Sequence, residues 1–390
     1  MTSTSAQAVT TRQVYLFAFA AAVMVANIYY SQPLLAVIAQ SFGVDPAHAG
    51  YLVTLTQLGY GLGVLFIVPL GDGMDRRKLA SFMLAGCVVM LIATALSPTF
   101  LFFAAAQLLM GATACATMVL IPYVASGSPE DVRGQRVGLV ITGVLLGILL
   151  ARTVSGVVAE FVGWRWMYVF AAVAVSIFWF ILRQTMVADG KHKPLDYLGL
   201  LKSVASMIRD EPEVRRRSVY CMLGMGSFSA LWTGLTLHLT SDPFNYSPAT
   251  VGLFGLVGAA GALSASYAGR LADRGWTSAL TGGLAVMLAA SWLLMAIGGH
   301  YVPVLIAGIL VLDVAAMGLQ VVHQSVLYKL NTTAQSRITS IFVTAAFIGM
   351  SIGSGLGSLA FSYAGWLGLC VVGGAMPALL VLHWAVMQVR

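Results

Sequence analysis

Charged residues are scarce in this chain. Of its 390 residues, 59% are hydrophobic and only 9% are charged, whereas soluble domains carry roughly 25% charged residues. A soluble core cannot hide this much apolar surface, so the composition excludes a soluble globular protein. We therefore predict that the chain spans a lipid bilayer many times, in a cell membrane such as a bacterial inner membrane.

Cysteine and histidine are rare as well. The four cysteines lie in four different apolar runs, and the six histidines are dispersed without a His-Glu-x-x-His sequence. This distribution excludes a disulfide framework and a clustered metal site. The sequence also lacks the Gly-Lys-Ser/Thr of an ATP-binding phosphate loop. We expect no enzymatic activity, no metal and no cofactor.

Acidic residues are outnumbered by basic ones. There are 14 Asp and Glu against 21 Lys and Arg, which gives a net charge of +7. A basic excess can indicate nucleic-acid binding, but here the basic residues are scattered among short loops. We therefore expect no nucleic-acid partner.

Long apolar runs are what the chain has in abundance. A helix needs about 20 apolar residues to cross the bilayer core, whereas barrel strands would be about half as long and alternate in polarity. The runs lie at about 14–39, 48–71, 78–97, 100–124, 136–161, 165–186, 218–240, 249–270, 277–298, 302–327, 338–362 and 366–387. The predicted fold class is an all-α integral membrane protein with twelve transmembrane helices.

Lys and Arg are distributed unevenly among the loops. With the N-terminus in the cytoplasm, every Lys and Arg except Arg152 and Arg165 falls in a cytoplasmic segment. This asymmetry follows the positive-inside rule, and an even number of helices then places both termini in the cytoplasm. We name the side that carries these loops the basic end, and the other side the opposite end.

Landmarks in the first half of the chain recur in the second. Asp72 and Asp273 are 201 positions apart, and so are Arg136 and Arg337. This repeat predicts two pseudo-symmetric six-helix bundles. The predicted boundaries are 1–186 for the first bundle, 187–217 for a cytoplasmic linker and 218–390 for the second bundle. Within the linker, Leu195–Ile208 has the apolar spacing of an amphipathic helix on the inner leaflet, with a regulatory or partner-binding role as the alternative.

The repeated loop carries a family resemblance. The first copy contains Gly71-Asp72-Gly73-Met74-Asp75-Arg76-Arg77-Lys78, and the second reads Gly269-Arg270-Leu271-Ala272-Asp273-Arg274. Together with the topology, these loops resemble the motif Gly-x-x-x-Asp-Arg-x-Gly-Arg-Arg of the major facilitator superfamily, specifically its twelve-helix drug:proton antiporter branch. The resemblance covers the whole chain.

The resemblance implies a conformational latch at the basic end. It places Asp72 against the start of the eleventh helix, and Arg76 or Arg77 then has Glu130 or Asp131 as its partner. Asp273 and Arg274 are the corresponding residues of the second copy. The alternative is that the basic residues only keep the loop inside.

Two further motifs of the family are matched in part. Gly147–Gly156 resembles the antiporter motif of the fifth helix, with Arg152 where the family has proline, and Gln107 stands where the fourth helix usually has arginine. Small residues at a spacing of four predict close helix packing; they are Gly143, Gly147 and Ser155 in the fifth helix and Gly349, Gly353 and Gly357 in the eleventh.

Ionisable residues inside a membrane are costly and are functional candidates by default. Asp313 lies near the middle of the tenth run, where a low dielectric favours the neutral, protonated carboxyl. We predict Asp313 as the proton carrier, His323 as a secondary candidate, and Arg152 as a charge that acts on Asp313 or binds an anion. The alternative is a structural ion pair.

Polar and aromatic residues within the apolar runs are candidates for lining a substrate cavity. They are Asn27, Tyr30, Gln57, Tyr60, Gln107, Trp232, Thr236, Gln320 and Gln324. The resemblance implies a monomeric secondary transporter that works by alternating access and is driven by the proton gradient. The predicted function is efflux of a small amphipathic compound, drug or sugar by antiport with protons, with proton-coupled uptake by symport as the alternative.

Overall fold

A computed structural model describes residues 9–188, 196–258, 261, 267–272, 274–330 and 335–389 of the chain. Every regular element in these ranges is a helix. Eight of the described helical segments are long and apolar enough to cross a membrane by length and composition. The longest of them contains two helices, and shorter apolar helices occupy further runs. We number the helices at the twelve predicted runs as spans 1 to 12.

Among the first six spans, spans 3, 5 and 6 are single helices, whereas spans 1, 2 and 4 are divided into shorter helical pieces. Span 1 is Thr11–Ala26, a 3-10 turn at Gln32–Leu34 and Leu35–Phe42; span 2 is Pro46–Ala49, Tyr51–Phe66 and a 3-10 turn at Val68–Asp72; span 3 is Arg76–Ala95; span 4 is Phe100–Ala114 and Thr117–Ser126; span 5 is Arg133–Val162; span 6 is Trp164–Thr185.

The second half follows a linker helix at Tyr197–Asp210. Span 7 is Pro212–Leu239; span 8 includes Pro248–Leu253, a 3-10 turn at Phe254–Gly258 and residues 267–272; span 9 is Thr277–Gly298; span 10 is Val302–Tyr328; spans 11 and 12 lie within Gln335–Val389, before and after non-helical residues Ala364 and Gly365.

The turns between consecutive spans reflect the sequence repeat. Gly163 separates spans 5 and 6 and has a φ of 96°, and Gly365 separates spans 11 and 12 and has a φ of 57°. Positive φ is a conformation that residues with a Cβ rarely adopt. Each glycine is followed by a largely buried tryptophan, Trp164 or Trp366. The same local chemistry therefore turns the chain in both halves.

The two stripes of small residues lie at closely packed helix pairs. A Cβ on Gly143 or Gly147 would collide with the span 1 carbonyl of Ala18 or Ala22. In the second half, a Cβ on Gly349 or Gly353 would collide with the span 7 carbonyl of Met222 or Gly226, and Gly357 faces Ala230. Spans 1 and 5 thus pack as spans 7 and 11 do, and Ser155 is fully buried in the first stripe.

The linker helix lies across the basic end. The Tyr197 hydroxyl donates to the carbonyl of Phe66 in span 2 at 2.9 Å, and Arg337 at the start of span 11 donates to Ser203 at 3.0 Å. At its end, the hydrogen bond from Arg209 lowers the pKa of Asp210. The helix therefore contacts both six-helix halves.

Span 7 begins earlier than the apolar run predicts. The helix starts at Pro212 rather than near 218, and proline suits a first helical position because its missing N–H has no helical partner there. Glu213 forms ion pairs one turn along the helix with Arg216 at 2.5 Å and Arg217 at 2.7 Å. These ion pairs stabilise a charged first turn of the helix. Hydropathy alone predicts a loop for the same residues.

Candidate transport site at the junction of the two halves

The junction of the halves is crossed by a buried amide. Gln57 of span 2 donates to Ser229 of span 7 at 2.8 Å, and its amide oxygen accepts from Ser229 at 3.0 Å and from Ser354 of span 11 at 3.2 Å. All three side chains are fully buried. Nearby, Tyr60 stacks on Phe347 of span 11 with ring centroids 4.1 Å apart. Spans 2, 7 and 11 are therefore joined by specific polar and aromatic contacts.

Spans 5 and 8 form a second contact between the halves. Thr153 donates to the carbonyl of Gly252 at 3.0 Å, and Glu160 accepts from the backbone N–H of Ala249 at 3.0 Å. A Cβ on Gly156 would collide with the carbonyl of Pro248. Glycine therefore allows the two backbones to approach closely beside Arg152.

Arg152 is buried in span 5, with 4% of its surface exposed. Its Nε donates to Gln32 Oε1 at 2.6 Å. The guanidinium carbon lies 4.1 Å from the ring centroid of Trp232 and 4.8 Å from that of Tyr29. Such cation–π contacts contribute roughly 2 kcal/mol or more when desolvated. They hold the guanidinium plane against span 7 of the other half.

Asp313 is buried in span 10, with 2% of its surface exposed. The indole N–H of Trp232 donates to Asp313 Oδ1 at 3.2 Å. Span 8 packs against the same carboxyl through glycines: a Cβ on Gly258 would lie 2.7 Å from Asp313 Oδ2, and a Cβ on Gly261 would lie 2.8 Å from Asp313 Cβ. The described part of span 8 thus leaves room for the Asp313 side chain because the residues that face it, Gly258 and Gly261, have no side chain.

Trp232 contacts both buried charges. Its ring faces Arg152 and its N–H bonds Asp313. Among the described residues, the two charges do not form a direct ion pair. A buried charge is costly without compensation, so each charge depends on the other and on this indole. Arg152 belongs to the first half and Asp313 to the second, so the arrangement crosses the junction.

A cavity of about 10 Å³ lies beside Arg152, about the smallest volume that holds one water. Its lining residues are Gln32, Pro33, Arg152, Trp232, Leu235, Thr236 and Val251. Within the described part of the chain, Arg152 Nη2 and Gln32 Nε2 are buried without a hydrogen-bond partner. The described site is therefore closed around two free donors.

Most other predicted cavity residues form hydrogen bonds within their own helix or to neighbouring helices. The Asn27 amide donates to the carbonyls of Val23 and Met24 in its own helix, at 2.9 and 3.1 Å. Gln107 donates to Tyr168 at 2.7 Å and accepts from Thr56 at 3.3 Å. The hydroxyl oxygens of Tyr60 and Thr117 are 3.1 Å apart, and Tyr30 is buried. The Thr236 hydroxyl donates to the carbonyl of Trp232 at 3.4 Å. Thr236 and Trp232 alone of these residues line the cavity.

His323 lies in a different cluster from Asp313. The His323 side chain is fully buried, and its Nδ1 lies 3.3 Å from Arg217 Nη1. Its ring packs on the ring of Tyr220, whose hydroxyl lies 2.7 Å from Nδ1 of His383. Gln324 donates to Tyr328 at 2.8 Å, and Gln320 is half-buried. Three helices, spans 7, 10 and 12, meet in this histidine cluster near the basic end.

The predicted latch residues occupy the basic end. Asp72 lines a cavity of about 20 Å³ with Ser336, Arg337 and Ser340 at the start of span 11 and with Leu200 and Val204 of the linker helix. Arg76 donates to Ser126 at 3.2 Å and Arg77 to the carbonyl of Arg183 at 2.5 Å. Glu130, Asp131 and Arg274 are exposed, and Asp273 lies outside the described residues.

Within the described ranges, the expected ion pairs of Arg76 or Arg77 with Glu130 or Asp131 do not form. The acidic side chains extend into solvent, while Arg77 reaches a helix-terminal carbonyl of span 6 instead. Carbonyls at a helix C-terminus carry the negative end of the helix dipole and attract cations.

Sequence reasoning did not select Gln32 or Tyr29 as site residues. Both lie in the interruption of span 1, and the chain bends there so that they reach Arg152. The available signal is the polar Gln32 directly before Pro33 within an apolar run.

Comparisons with known proteins agree with this fold. The family model described as Major Facilitator Superfamily matches residues 17–354. The chain is 38% identical over 371 residues to the transporter YgaY of Escherichia coli strain K12, covering 95% of this chain and 94% of the relative. It is 32% identical over 376 residues to a protein of Streptomyces coelicolor named as a transporter, covering 96% and 86%.

Among solved structures, a bacterial homologue of the human lysosomal transporter Spinster superposes with a TM-score of 0.76 at 12% identity. The match covers 96% of this chain and 95% of that one. At this identity the likeness shows the fold alone. It confirms the predicted all-helical membrane fold class.

Proposed function

Because the chain belongs to the Major Facilitator Superfamily and is a multi-pass membrane transporter rather than an enzyme, we propose that it is a proton-coupled secondary transporter. A small organic solute crosses by alternating access, and Asp313 carries the proton. The observation that carries this proposal is the burial of Asp313 at 2% exposure in contact with Trp232, which also contacts Arg152.

The proposed coupling follows from the positions of the two charges. Arg152 and Asp313 lie in different halves, and Arg152 contacts the ring of the same indole whose N–H donates to Asp313. Opposite charges attract strongly where the dielectric is low, so a deprotonated Asp313 favours the state in which the halves meet here. Protonation removes one of the charges and weakens that attraction. The proton therefore changes the relative stability of the two access states.

Two forms of coupling are candidates. Antiport with efflux of a small amphipathic compound, drug or sugar is the form that the resemblance implies, and it fits a substrate whose binding displaces the proton. Symport is favoured by a specific observation: Arg152 Nη2 is a buried donor without a partner in the described chain. A negatively charged group bound there would favour protonation of Asp313.

A latch at the basic end is part of the proposal. Asp72 lies beside the N-terminus of span 11, where the helix dipole favours a carboxylate by roughly 0.3–1 kcal/mol or more. The linker helix contacts the same cavity. Closure of this end would hold Asp72, the linker helix and span 11 together while the opposite end is open.

The experiment is transport in proteoliposomes under an imposed pH gradient. The substrate panel contains amphipathic dyes, sugars and monocarboxylates, and wild type is compared with Asp313→Asn. We expect the variant to lose gradient-driven accumulation and to keep exchange of substrate across the membrane. Normal gradient-driven transport by Asp313→Asn would show that another group carries the proton.

Glu160→Gln is the matched control. Glu160 is also a carboxyl of a spanning helix, but it is exposed and, among the described residues, accepts a backbone N–H of span 8. We expect this variant to retain gradient-driven transport. The direction follows from collapsing the proton gradient in loaded cells: the substrate of an exporter then accumulates, and that of an importer falls.

A further inference from the structure

We infer that Arg152 and Gln32 bind the carboxylate of a small organic anion, and that this anion and the proton of Asp313 are bound and carried together. The inference rests on the proposed proton coupling for its second part and names the substrate class of the same site. Its first part, the carboxylate site, stands on geometry alone.

The donors that remain free point to the ligand. Arg152 uses Nε to bond Gln32 Oε1, which also fixes the orientation of the Gln32 amide. This leaves Arg152 Nη2 and Gln32 Nε2 buried without partners in the described chain, and both residues line the same cavity. Two unpaired N–H donors on residues that line one cavity suit the two oxygens of a carboxylate.

Two aromatic rings contact the guanidinium of Arg152. Its central carbon lies 4.1 Å from the ring centroid of Trp232 and 4.8 Å from that of Tyr29. Arginine binds carboxylates with paired hydrogen bonds from its planar fork of N–H groups, and Nη2 of that fork has no partner in the described chain. The aromatic contacts thus hold Arg152 beside the cavity with a donor available for an acceptor. A purely structural arginine would instead have its N–H donors satisfied by the protein, because an unsatisfied buried donor is costly.

The other lining residues of the cavity indicate the chemistry of the rest of the ligand. Pro33, Leu235 and Val251 are apolar and buried, and Thr236 supplies one hydroxyl. This lining fits a small anion with an apolar body and one polar substituent at most. Gln32 and Arg152 belong to the first half, and Trp232, Leu235, Thr236 and Val251 belong to the second. Separation of the halves therefore enlarges the cavity for entry.

The sign of the coupling follows from charge balance. Arg152 compensates one negative charge, which is that of Asp313 when the site holds no anion. A bound carboxylate takes over that role, and Asp313 then favours its protonated form. By reciprocity, protonation of Asp313 strengthens anion binding by the same factor. Substrate and proton therefore move in the same direction.

No other acid competes for this role in the described surroundings. The titratable groups that face Arg152 are Tyr29 from span 1 and Asp313 from span 10. Span 7 contributes Trp232. Span 8 contributes Gly252 and Gly255 beside Arg152, and Gly258 and Gly261 beside Asp313. Residues 259–266 of the sequence contain no ionisable side chain.

The binding test uses purified full-length protein in detergent. Benzoate, lactate and nicotinate are each compared with the neutral amide, and the thermal unfolding midpoint is followed against ligand concentration. We expect the carboxylates, but not their amides, to raise the midpoint of wild type. Arg152→Gln should weaken the binding about 30-fold or more, as loss of a buried charge-assisted contact does.

Gln32→Glu is a second variant that tests the site even if Arg152→Gln does not fold. It gives Arg152 an internal carboxylate, so we expect a stable protein that no longer responds to carboxylates. Arg165→Gln is the matched control, because Arg165 also stacks on a tryptophan, at 4.2 Å from Trp164, but lies outside the cavity. This variant should bind carboxylates as wild type does.

The pH dependence separates the two parts of the inference. In wild type, carboxylate binding should weaken as pH rises and Asp313 loses its proton. Asp313→Asn resembles the protonated acid, so its binding should be tight and independent of pH. Equal binding of acids and amides, or unchanged binding in Gln32→Glu, overturns the carboxylate site. Carboxylate binding that is independent of pH in wild type overturns the coupling and the proposed proton role, and leaves the site standing.

Discussion

Arg152 occupies the position where the resembled antiporter motif has proline, so span 5 carries a charged side chain at this point. It brings a buried positive charge to the junction, where Gln32, Tyr29 and Trp232 hold it. Asp313 then has a counter-charge in the other half. The buried positive charge at the junction thus comes from a departure from the motif rather than from a match to it.

At the residue scale, Trp232→Phe tests the indole N–H. Phenylalanine keeps a ring beside Arg152 but cannot donate to Asp313. Loss of a hydrogen bond to a charged group costs about 1.5–3 kcal/mol, and one pH unit corresponds to about 1.4 kcal/mol. We expect the pH of half-maximal transport to rise by about one unit or more, measured in proteoliposomes.

Trp292→Phe is the control for that substitution. Its indole N–H also has a buried partner at 2.7 Å, but that partner is Ser227 rather than Asp313. It should lower stability without moving the pH profile. A Trp232→Phe profile that matches wild type would mean that the indole N–H does not act on Asp313.

Sequence alone identified Asp313, Arg152 and Trp232 as candidates because ionisable and aromatic groups stand out in an apolar run. It did not identify Gln32, because one glutamine among several polar residues carries no signal of its partner. Which amide bonds a neighbouring helix and which faces a cavity depends on the rotation of each helix. That rotation follows from packing between distant parts of the chain.

At the element scale, Gly353 and Gly355 form a test on one helix. A Cβ on Gly353 would collide with the Gly226 carbonyl of span 7, whereas on Gly355 it would make ordinary contact with Thr54 at 3.4 Å. Overpacking costs typically 1–3 kcal/mol. We expect Gly353→Ala to lower the unfolding midpoint in detergent and Gly355→Ala to leave it nearly unchanged. Equal midpoints would mean that spans 7 and 11 do not pack through Gly353.

Element positions were largely predictable from hydropathy. Span 9 occupies the predicted 277–298, and spans 3 to 6 begin and end within a few residues of their runs. Hydropathy missed the interruption of span 1 and the early start of span 7. Both depend on local chemistry, namely the turn before Pro33 and the Glu213 ion pairs.

At the scale of the whole molecule, Gln57 and Gln107 separate contacts between the halves from contacts within one half. Gln57 bonds Ser229 and Ser354 across the junction, whereas Gln107 bonds Tyr168 and Thr56 within the first half. Gln57→Leu should therefore change the equilibrium between access states. Gln107→Leu should lower stability without changing that equilibrium.

Cysteine labelling at the two ends of the molecule measures this difference. The four native cysteines are buried, so single cysteines introduced into the terminal loops report access. We expect Gln57→Leu to change the labelling ratio of the two ends about fivefold or more, the equivalent of about 1 kcal/mol of lost net hydrogen bonding. A ratio equal to that of Gln107→Leu would mean that the Gln57 bonds do not control access.

The contact of Trp232 with both charges has an optical consequence. Indole absorption and emission shift with the local electric field, and this ring lies against the Arg152 guanidinium and the Asp313 carboxyl. The difference spectrum between wild type and Trp232→Phe isolates this one chromophore. A change in the charge on Asp313, which the proposed proton coupling requires, should therefore shift that spectrum without any attached dye.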